Sequence, residues 1–474
     1  MTDTTRADQS LRRVIGPAAL AASIVNIVVG GSIFVLPAVL TRELSTAAPA
    51  AYLSGALVMG LVTLAFAEAG RRTVVSGGPY AYVAGAFGRY PGFLAGLLTW
   101  LAVVFACAAV AAALVDSLGG VLPWLPSPVA RGGAILLLFA LLTLVNLRGA
   151  RAGTRLASAT AVAKSAGLLL FVVLAARFVS GDNLVVSWPD DTAGLGRATV
   201  LVMFALAGME VPLCAGGEIR DPGRTVPRAL AGAIGFVVVL YVMIHLIAQG
   251  VLGPDLAGSR APLADALAKG GAGGRELLLA IGAVSMFGYL AGDMLGASRI
   301  LFAFGRDVLL PRPLASVHPV TGAPHVAVVI HAVAAAGLAM TGSFAVLAPI
   351  ASVAIIVVYL GCCAAAWVLA RRGGEPATAP RLGAAAPLLA IAGLLWVLSH
   401  STRTEFVAVG AVLLAGSALY GLSRRRGAGR GARAEEMLTR RPSPRLATAA
   451  TVSRSRRASS ISRPACCGSS HPPG

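Results

Sequence analysis

Twelve apolar stretches divide most of the chain, at about 17–40, 46–70, 91–118, 131–147, 155–179, 197–217, 229–252, 276–302, 324–341, 344–370, 384–400 and 404–422. Each approaches the roughly 20 residues that a helix needs to cross the hydrocarbon core of a bilayer. Lipid offers no partner to a backbone NH or C=O, so a succession of such spans can only be a helical bundle. The composition agrees: 57% of residues are hydrophobic, 12% are charged and the mean hydropathy is +0.80, outside the range of soluble domains. The expected fold is all-α and integral to the membrane. Residues 1–16 are an N-terminal cytoplasmic segment, 17–422 a domain of about 12 transmembrane helices, and 423–474 a tail. The first stretch does not read as a cleaved signal, because it is long, holds internal Gly and Pro and is followed by further spans.

The net charge of +19 is unevenly placed. From Arg424 onward 12 Arg face only Glu435 and Glu436, so a net +10 sits in the tail. A basic segment beside a membrane domain is expected to meet anionic lipid rather than nucleic acid. Its Arg, Ser, Pro and Gly content, without hydrophobic periodicity, predicts disorder. With the N-terminus inside, Arg6, Arg12, Arg13, Arg71, Arg72, Arg89, Arg148, Arg151, Arg155, Arg220, Arg224, Arg228, Arg306, Arg312, Arg371, Arg372 and Arg381 all fall on the cytoplasmic side. The positive-inside rule therefore puts both termini in the cytoplasm, with the chain in the cell membrane. Six Cys and six His show no metal-ligand spacing, so neither a metal nor another cofactor is expected.

Two spans are interrupted. Gly30-Gly31-Ser32 breaks the first, where two glycines cost about 1 kcal/mol each relative to Ala in a helix. Phe204-Ala205-Leu206-Ala207-Gly208-Met209-Glu210-Val211-Pro212 breaks the sixth, combining a glycine, a proline and an intramembrane carboxylate. Gly30–Ser32 alone is equally a small-residue helix contact. A second break five helices later favours a central binding site, since unwound backbone at membrane depth must line a cavity or be buried in protein. A channel needs no such pair, and a membrane enzyme would show a nucleophile or metal cluster.

Four patches carry a family resemblance. Gly30-Gly31-Ser32-Ile33-Phe34 resembles the first-helix motif of the amino acid–polyamine–organocation (APC) permeases, with Ser32 in place of the usual third glycine. Ser76-Gly77-Gly78-Pro79-Tyr80-Ala81-Tyr82 resembles the connection between their second and third helices. Phe204–Glu210 with Glu218–Arg228 resembles the sixth helix and its loop, and Ser298–Asp307 with His318–His325 the region after the eighth. The resemblance spans most of residues 15–420. It implies a leucine-transporter-type fold, with a 5+5 inverted repeat and two C-terminal helices, working by alternating access. It places a substrate carboxylate on the NH groups of Gly30, Gly31 and Ser32, and an ammonium on the carbonyls of Phe204, Ala205 and Ala207. Phe204 takes the position of an aromatic gate, its alternative being a lipid-facing side chain. Leu206 and Met209 stand where aromatics are common. Gly208 and Glu210 complete the expected site.

Two further intramembrane charges are candidates. In proton-coupled relatives a lysine of the fifth helix replaces a sodium ion, and Lys164 falls there. Desolvation would make it a proton carrier; alternatively it ties helices one, five and eight together. Glu210 shares the proton-coupling assignment. Asp293 is open to three readings: a pair with Lys164, contact with a cationic substrate group, or a hydrated vestibule. Substrate contact leads to an expected preference for cationic substrates. Glu68 and Asp116 are expected at the interfaces, while Tyr80, Tyr82, His245 and His331 have no assigned role. The expected function is secondary active transport of amino acids or related amines, by proton symport or exchange, and not catalysis. The alternatives are an amine or polyamine carrier without carboxylate recognition, and a non-transporting membrane sensor.

Overall fold

A computed structural model describes residues 11–421, apart from short stretches at 74, 120–121, 126, 185–187, 189–191, 260, 271–272, 342–343, 373–381, 400–402, 404–405 and 408. The expected tail lies outside the described residues. Within them the chain is helical, and one isolated bridge, Ile15 to Ile219, is the only β pairing among the described residues.

Every expected span coincides with a helix or an interrupted pair. The first is α1 (Pro17–Val28) and α2 (Leu36–Leu44), followed by α3 (Ala48–Arg72). A short helix α4 (Pro79–Phe87) then leads into α5 (Arg89–Gly119), α6 (Pro128–Leu147) and α7 (Ala150–Ala176). The sixth span is α8 (Thr192–Leu206) and the single turn α9 (Glu210–Leu213). After α10 (Pro222–Leu252) and a small outer helix α11 (Pro262–Ala268) come α12 (Gly274–Arg306), α13 (His325–Thr341), α14 (Phe344–Arg372) and α15 (Leu382–Leu398), with α16 at Val409–Gly421. Among the described residues seven helical runs are long and apolar enough to cross a membrane by themselves; five shorter apolar helices accompany them.

The broken helices occupy the centre. α1 packs on α7, α10 and α12, while α2 packs on α8 and α9 lies against both α1 and α12. Small residues allow this. A Cβ on Gly296 of α12 would stand 2.2 Å from the Val211 carbonyl oxygen of α9, so only glycine lets the helix and the interrupted backbone approach. Without a hydrophobic drive between helices in lipid, such close packing and interhelical hydrogen bonds carry the association.

The end of the bundle that bears residues 11–15 is tied shut. Arg299 of α12 meets Glu218 through two contacts of 2.9 Å, both side chains almost fully buried. The Glu218 carbonyl also accepts the Val14 and Ile15 NH groups at 2.9 and 3.0 Å, and the Arg220 NH bonds Ile15 O at 2.9 Å. Arg306 pairs with Asp307 at 2.9 Å, and the Tyr80 hydroxyl donates to the same carboxylate. Glu68 with Arg71 and Arg72, and Asp116 with Arg131, form partly exposed ion pairs near helix ends.

Candidate functional site

The first break follows from its two glycines. The Gly30 NH folds back onto Val28 O at 2.8 Å, and the chain resumes as a 3-10 turn, Ser32–Phe34, before α2. This frees the carbonyls of Asn26, Val29 and Gly30 from helical donors. It also leaves the NH groups of Gly31, Ser32 and Ile33 without a backbone acceptor among the described residues.

Side chains from neighbouring helices take the carbonyls. Lys164 Nζ on α7 donates to Asn26 O, Val29 O and Ser285 O, each at 2.8 Å. Ser285 Oγ on α12 lies 3.0 and 2.9 Å from the carbonyls of Val29 and Gly30. The Tyr241 hydroxyl on α10 donates to Val28 O at 3.1 Å. Asn26 is held by Thr160, which donates to its Oδ1 at 3.1 Å, while its amide donates to Gly288 O. The carbonyl end of α1 carries partial negative charge, which favours a cation at this point. All three ammonium protons of Lys164 are satisfied by carbonyls and none by a carboxylate.

The second break turns at Gly208, whose φ is +116°. The Ala207 NH reaches Phe204 O at 3.2 Å, and the Gly208 NH donates to Glu210 Oε2 at 3.1 Å. Tyr359 of α14 donates to the same oxygen at 2.6 Å, which holds the carboxylate as a cap on the interruption. The carbonyls of Ala205, Leu206 and Ala207 keep no backbone donor among the described residues. A Cβ on Gly208 would stand 2.6 Å from Ile27 Cγ2, so the two breaks abut.

Between them lies a cavity of about 540 Å³. Gly30, Gly31, Ser32, Phe204, Ala205, Ala207, Gly208 and Glu210 all line it, with Val103, Val110, Met286 and Tyr289 supplying an apolar wall. The lining continues past Ala113 to Ser117, near the Gly119 end of α5 and away from the Glu218–Arg299 closure. Residues with unpaired NH groups, Gly31 and Ser32, and residues with unpaired carbonyls, Ala205 and Ala207, thus line one cavity. That polarity suits a zwitterion: a carboxylate at Gly31 and Ser32 and an ammonium at Ala205 and Ala207. Phe204 is 40% exposed and borders the cavity, whereas Leu206 and Met209 are buried and do not line it.

Two residues named from the sequence stand elsewhere. Lys164 lies behind the first break, fully buried. Asp293 is also fully buried but is absent from the cavity lining and does not meet Lys164. Its Oδ2 lies 2.8 Å from Nε2 of His331 on α13, with the Cys107 thiol of α5 beside them. None of the three sequence readings of Asp293 describes this arrangement, and a cationic preference loses its geometric basis. The physical reason is that a histidine on another span partners the acid at 2.8 Å, and His331 has no local signal that pairs it with Asp293. Tyr359, Tyr241, Ser285 and Tyr289 were missed as well. Asn26 and Ser285, polar residues inside apolar spans, were the available clue.

The family model for amino acid permeases matches residues 15–413. An uncharacterized transporter of Mycobacterium tuberculosis (strain ATCC 25618 / H37Rv) is 32% identical over 392 residues, covering 80% of this chain and 86% of that protein. The serine/threonine exchanger SteT of Bacillus subtilis (strain 168) is 25% identical over 440 residues, covering 88% and 99%. The branched-chain amino acid permease BcaP of Lactococcus lactis subsp. cremoris (strain MG1363) is 28% identical over 397 residues, covering 78% and 84%. With two abutting helix breaks around one cavity and a family match along nearly the whole helical body, the chain belongs to the amino acid permease family.

Proposed function

We propose that the chain is a secondary amino acid transporter that binds the backbone of a neutral amino acid between its two helix breaks. The observation that carries this is that one cavity is lined both by Gly31 and Ser32, whose NH groups have no backbone acceptor, and by Ala205 and Ala207, whose carbonyls have no backbone donor, among the described residues. The named relatives, a serine/threonine exchanger and a branched-chain permease, support uncharged side chains. So does the wall of Val103, Val110, Met286 and Tyr289. Glu210, the one carboxylate on the lining among the described residues, already accepts from Tyr359 and the Gly208 NH.

Transport would be proton-coupled or by exchange. Lys164, set among three carbonyls, is the residue we assign to proton coupling, with Glu210 as a second proton site. An open cavity on the side opposite the N-terminal closure fits an outward-facing state if both termini are cytoplasmic, in the cell membrane. The basic tail would then rest against anionic lipid. A carrier of amines without carboxylate recognition fits poorly, because it would leave the first-break NH groups unpaired.

The test is a thermal-shift screen on purified protein. A ligand bound to the folded state raises stability by RT ln(1 + [L]/Kd). Serine, threonine, valine, leucine and isoleucine are compared with lysine, arginine and the decarboxylated amines. Stabilisation by at least one neutral amino acid and by none of its amines supports the proposal. Stabilisation confined to amines or to cationic amino acids overturns it.

A further inference from the structure

Behind the cavity wall, three helices bring Cys107 (α5), Asp293 (α12) and His331 (α13) together. One ligating atom from each lies within 4.8 Å of the others, and all three residues are buried. Asp293 and His331 already touch at 2.8 Å, yet Asp293 Oδ1 and His331 Nδ1 find no hydrogen-bond partner among the described residues. A pair that served only to clamp α12 to α13 needs no third donor group, and buried polar atoms are ordinarily satisfied. Here a thiol stands beside a pair that keeps two unsatisfied atoms.

We propose that Cys107, Asp293 and His331 form a binding site for a borderline-soft divalent transition-metal ion of the Zn²⁺ type. Thiolate, imidazole and carboxylate are the ligands such an ion takes, at about 2.0–2.3 Å, which sets neighbouring donors about 3.3–3.5 Å apart in a tetrahedral site. Asp293 Oδ2 and His331 Nε2 stand 2.8 Å apart and no pair of the three ligating atoms exceeds 4.8 Å, so side-chain rotations bring the three donors into place. Charge also balances. A carboxylate and a thiolate cancel the double positive charge, leaving a neutral complex where an isolated ion would be heavily penalised. The thiol proton is released to water on binding. Thiolate and imidazole exclude Mg²⁺ and Ca²⁺, which take oxygen ligands.

The site adjoins the transport path. Ala106, next to Cys107, lines the cavity, as does Tyr289, one helical turn before Asp293. The cavity is therefore the approach, and a bound ion fastens α5, α12 and α13 directly behind the wall that faces the substrate.

Co²⁺ is the probe, because a thiolate–Co²⁺ bond gives a charge-transfer absorption in the near ultraviolet. The full-length protein carries Cys466→Ala and Cys467→Ala to remove the tail thiols, and is titrated in detergent. The expected result is saturation at one equivalent with a charge-transfer band that Zn²⁺ displaces. Cys107→Ala abolishes the band, and His331→Gln weakens binding by more than about tenfold. Cys107→Ser, nearly isosteric, is the second variant and should lose the band while melting like its parent in metal-free buffer. Absence of saturable binding, or an undiminished band in the Cys107 variants, overturns the proposal.

Discussion

Gly208→Ala tests whether the two helix breaks meet as described. At φ +116° Gly208 occupies backbone space that L-residues rarely adopt, and holding a non-glycine residue in such a region costs about 1–3 kcal/mol. The added Cβ would stand 2.6 Å from Ile27 Cγ2, and overpacking of this kind costs about 1–3 kcal/mol more. A single backbone shift relieves part of both, so the expected loss is about 2–4 kcal/mol. That is a factor of roughly 30 to 1,000 in the folded-to-unfolded ratio. Gly31 is the matched control. Its φ is −90°, and nothing lies within 4 Å of its Cβ, because the position faces the cavity. Gly31→Ala should therefore stay within about 0.5 kcal/mol of wild type. Gly31→Leu should fold but fail to transport, since its side chain enters the substrate space. Denaturant unfolding in detergent measures the first two, and uptake into proteoliposomes the third. Wild-type stability for Gly208→Ala together with a loss of 2 kcal/mol or more, about the lower bound above, for Gly31→Ala would refute the geometry.

Lys164→Met keeps the aliphatic stem and removes the ammonium. Val29 O retains Ser285 Oγ, so Asn26 O is the carbonyl orphaned at the break, and the stability loss should be about 1–3 kcal/mol. If Lys164 carries the coupling proton, uptake driven by a pH gradient disappears while substrate exchange persists; accumulation equal to wild type makes the residue structural. Arg299→Met leaves Glu218 buried and uncompensated and should cost about 3–5 kcal/mol. Glu218→Gln with Arg299→Met should recover part of that in thermal unfolding, and a double variant no better than the single would show that the two do not act as a pair.

The fold was legible because the bilayer imposes one rule on every span, and the breaks because glycine and proline violate it locally. Gly30, Gly31, Gly208 and Glu210 could be placed at one cavity from sequence since each interrupts its own helix. What each buried charge meets was not legible. Lys164 finds carbonyls freed by the first break, and Asp293 finds His331, 38 residues away on another helix. Partners of this kind depend on how helices rotate against one another, which no hydropathy pattern records. A buried acid demands a partner but does not say which residue supplies it. Glu218 and Arg299 illustrate the same limit: both stood in motifs, and their mutual pairing emerged only with the packing of α12 against the end of the sixth span.

The two breaks are chemically similar, each offering both NH and C=O groups, yet the surrounding helices make them opposite. At the first, Lys164, Ser285 and Tyr241 consume the carbonyls, so NH groups alone are left for a ligand. At the second, Glu210 and Tyr359 engage the Gly208 NH, leaving the carbonyls of Ala205–Ala207. The polarity of the two breaks is thus set by neighbouring side chains, of which Glu210 also reaches the lining while Lys164, Ser285, Tyr241 and Tyr359 do not. An amine entering without a carboxylate would satisfy one side and leave desolvated NH groups on the other. Each unsatisfied group costs about 1–3 kcal/mol, so two of them would separate an amino acid from its amine by roughly 30-fold or more. Removing the Lys164 ammonium should narrow that gap, because Asn26 O at the first break is then left without a donor. Competition by an amine that is no stronger against Lys164→Met than against wild type would show that the polarity is set by the backbone alone.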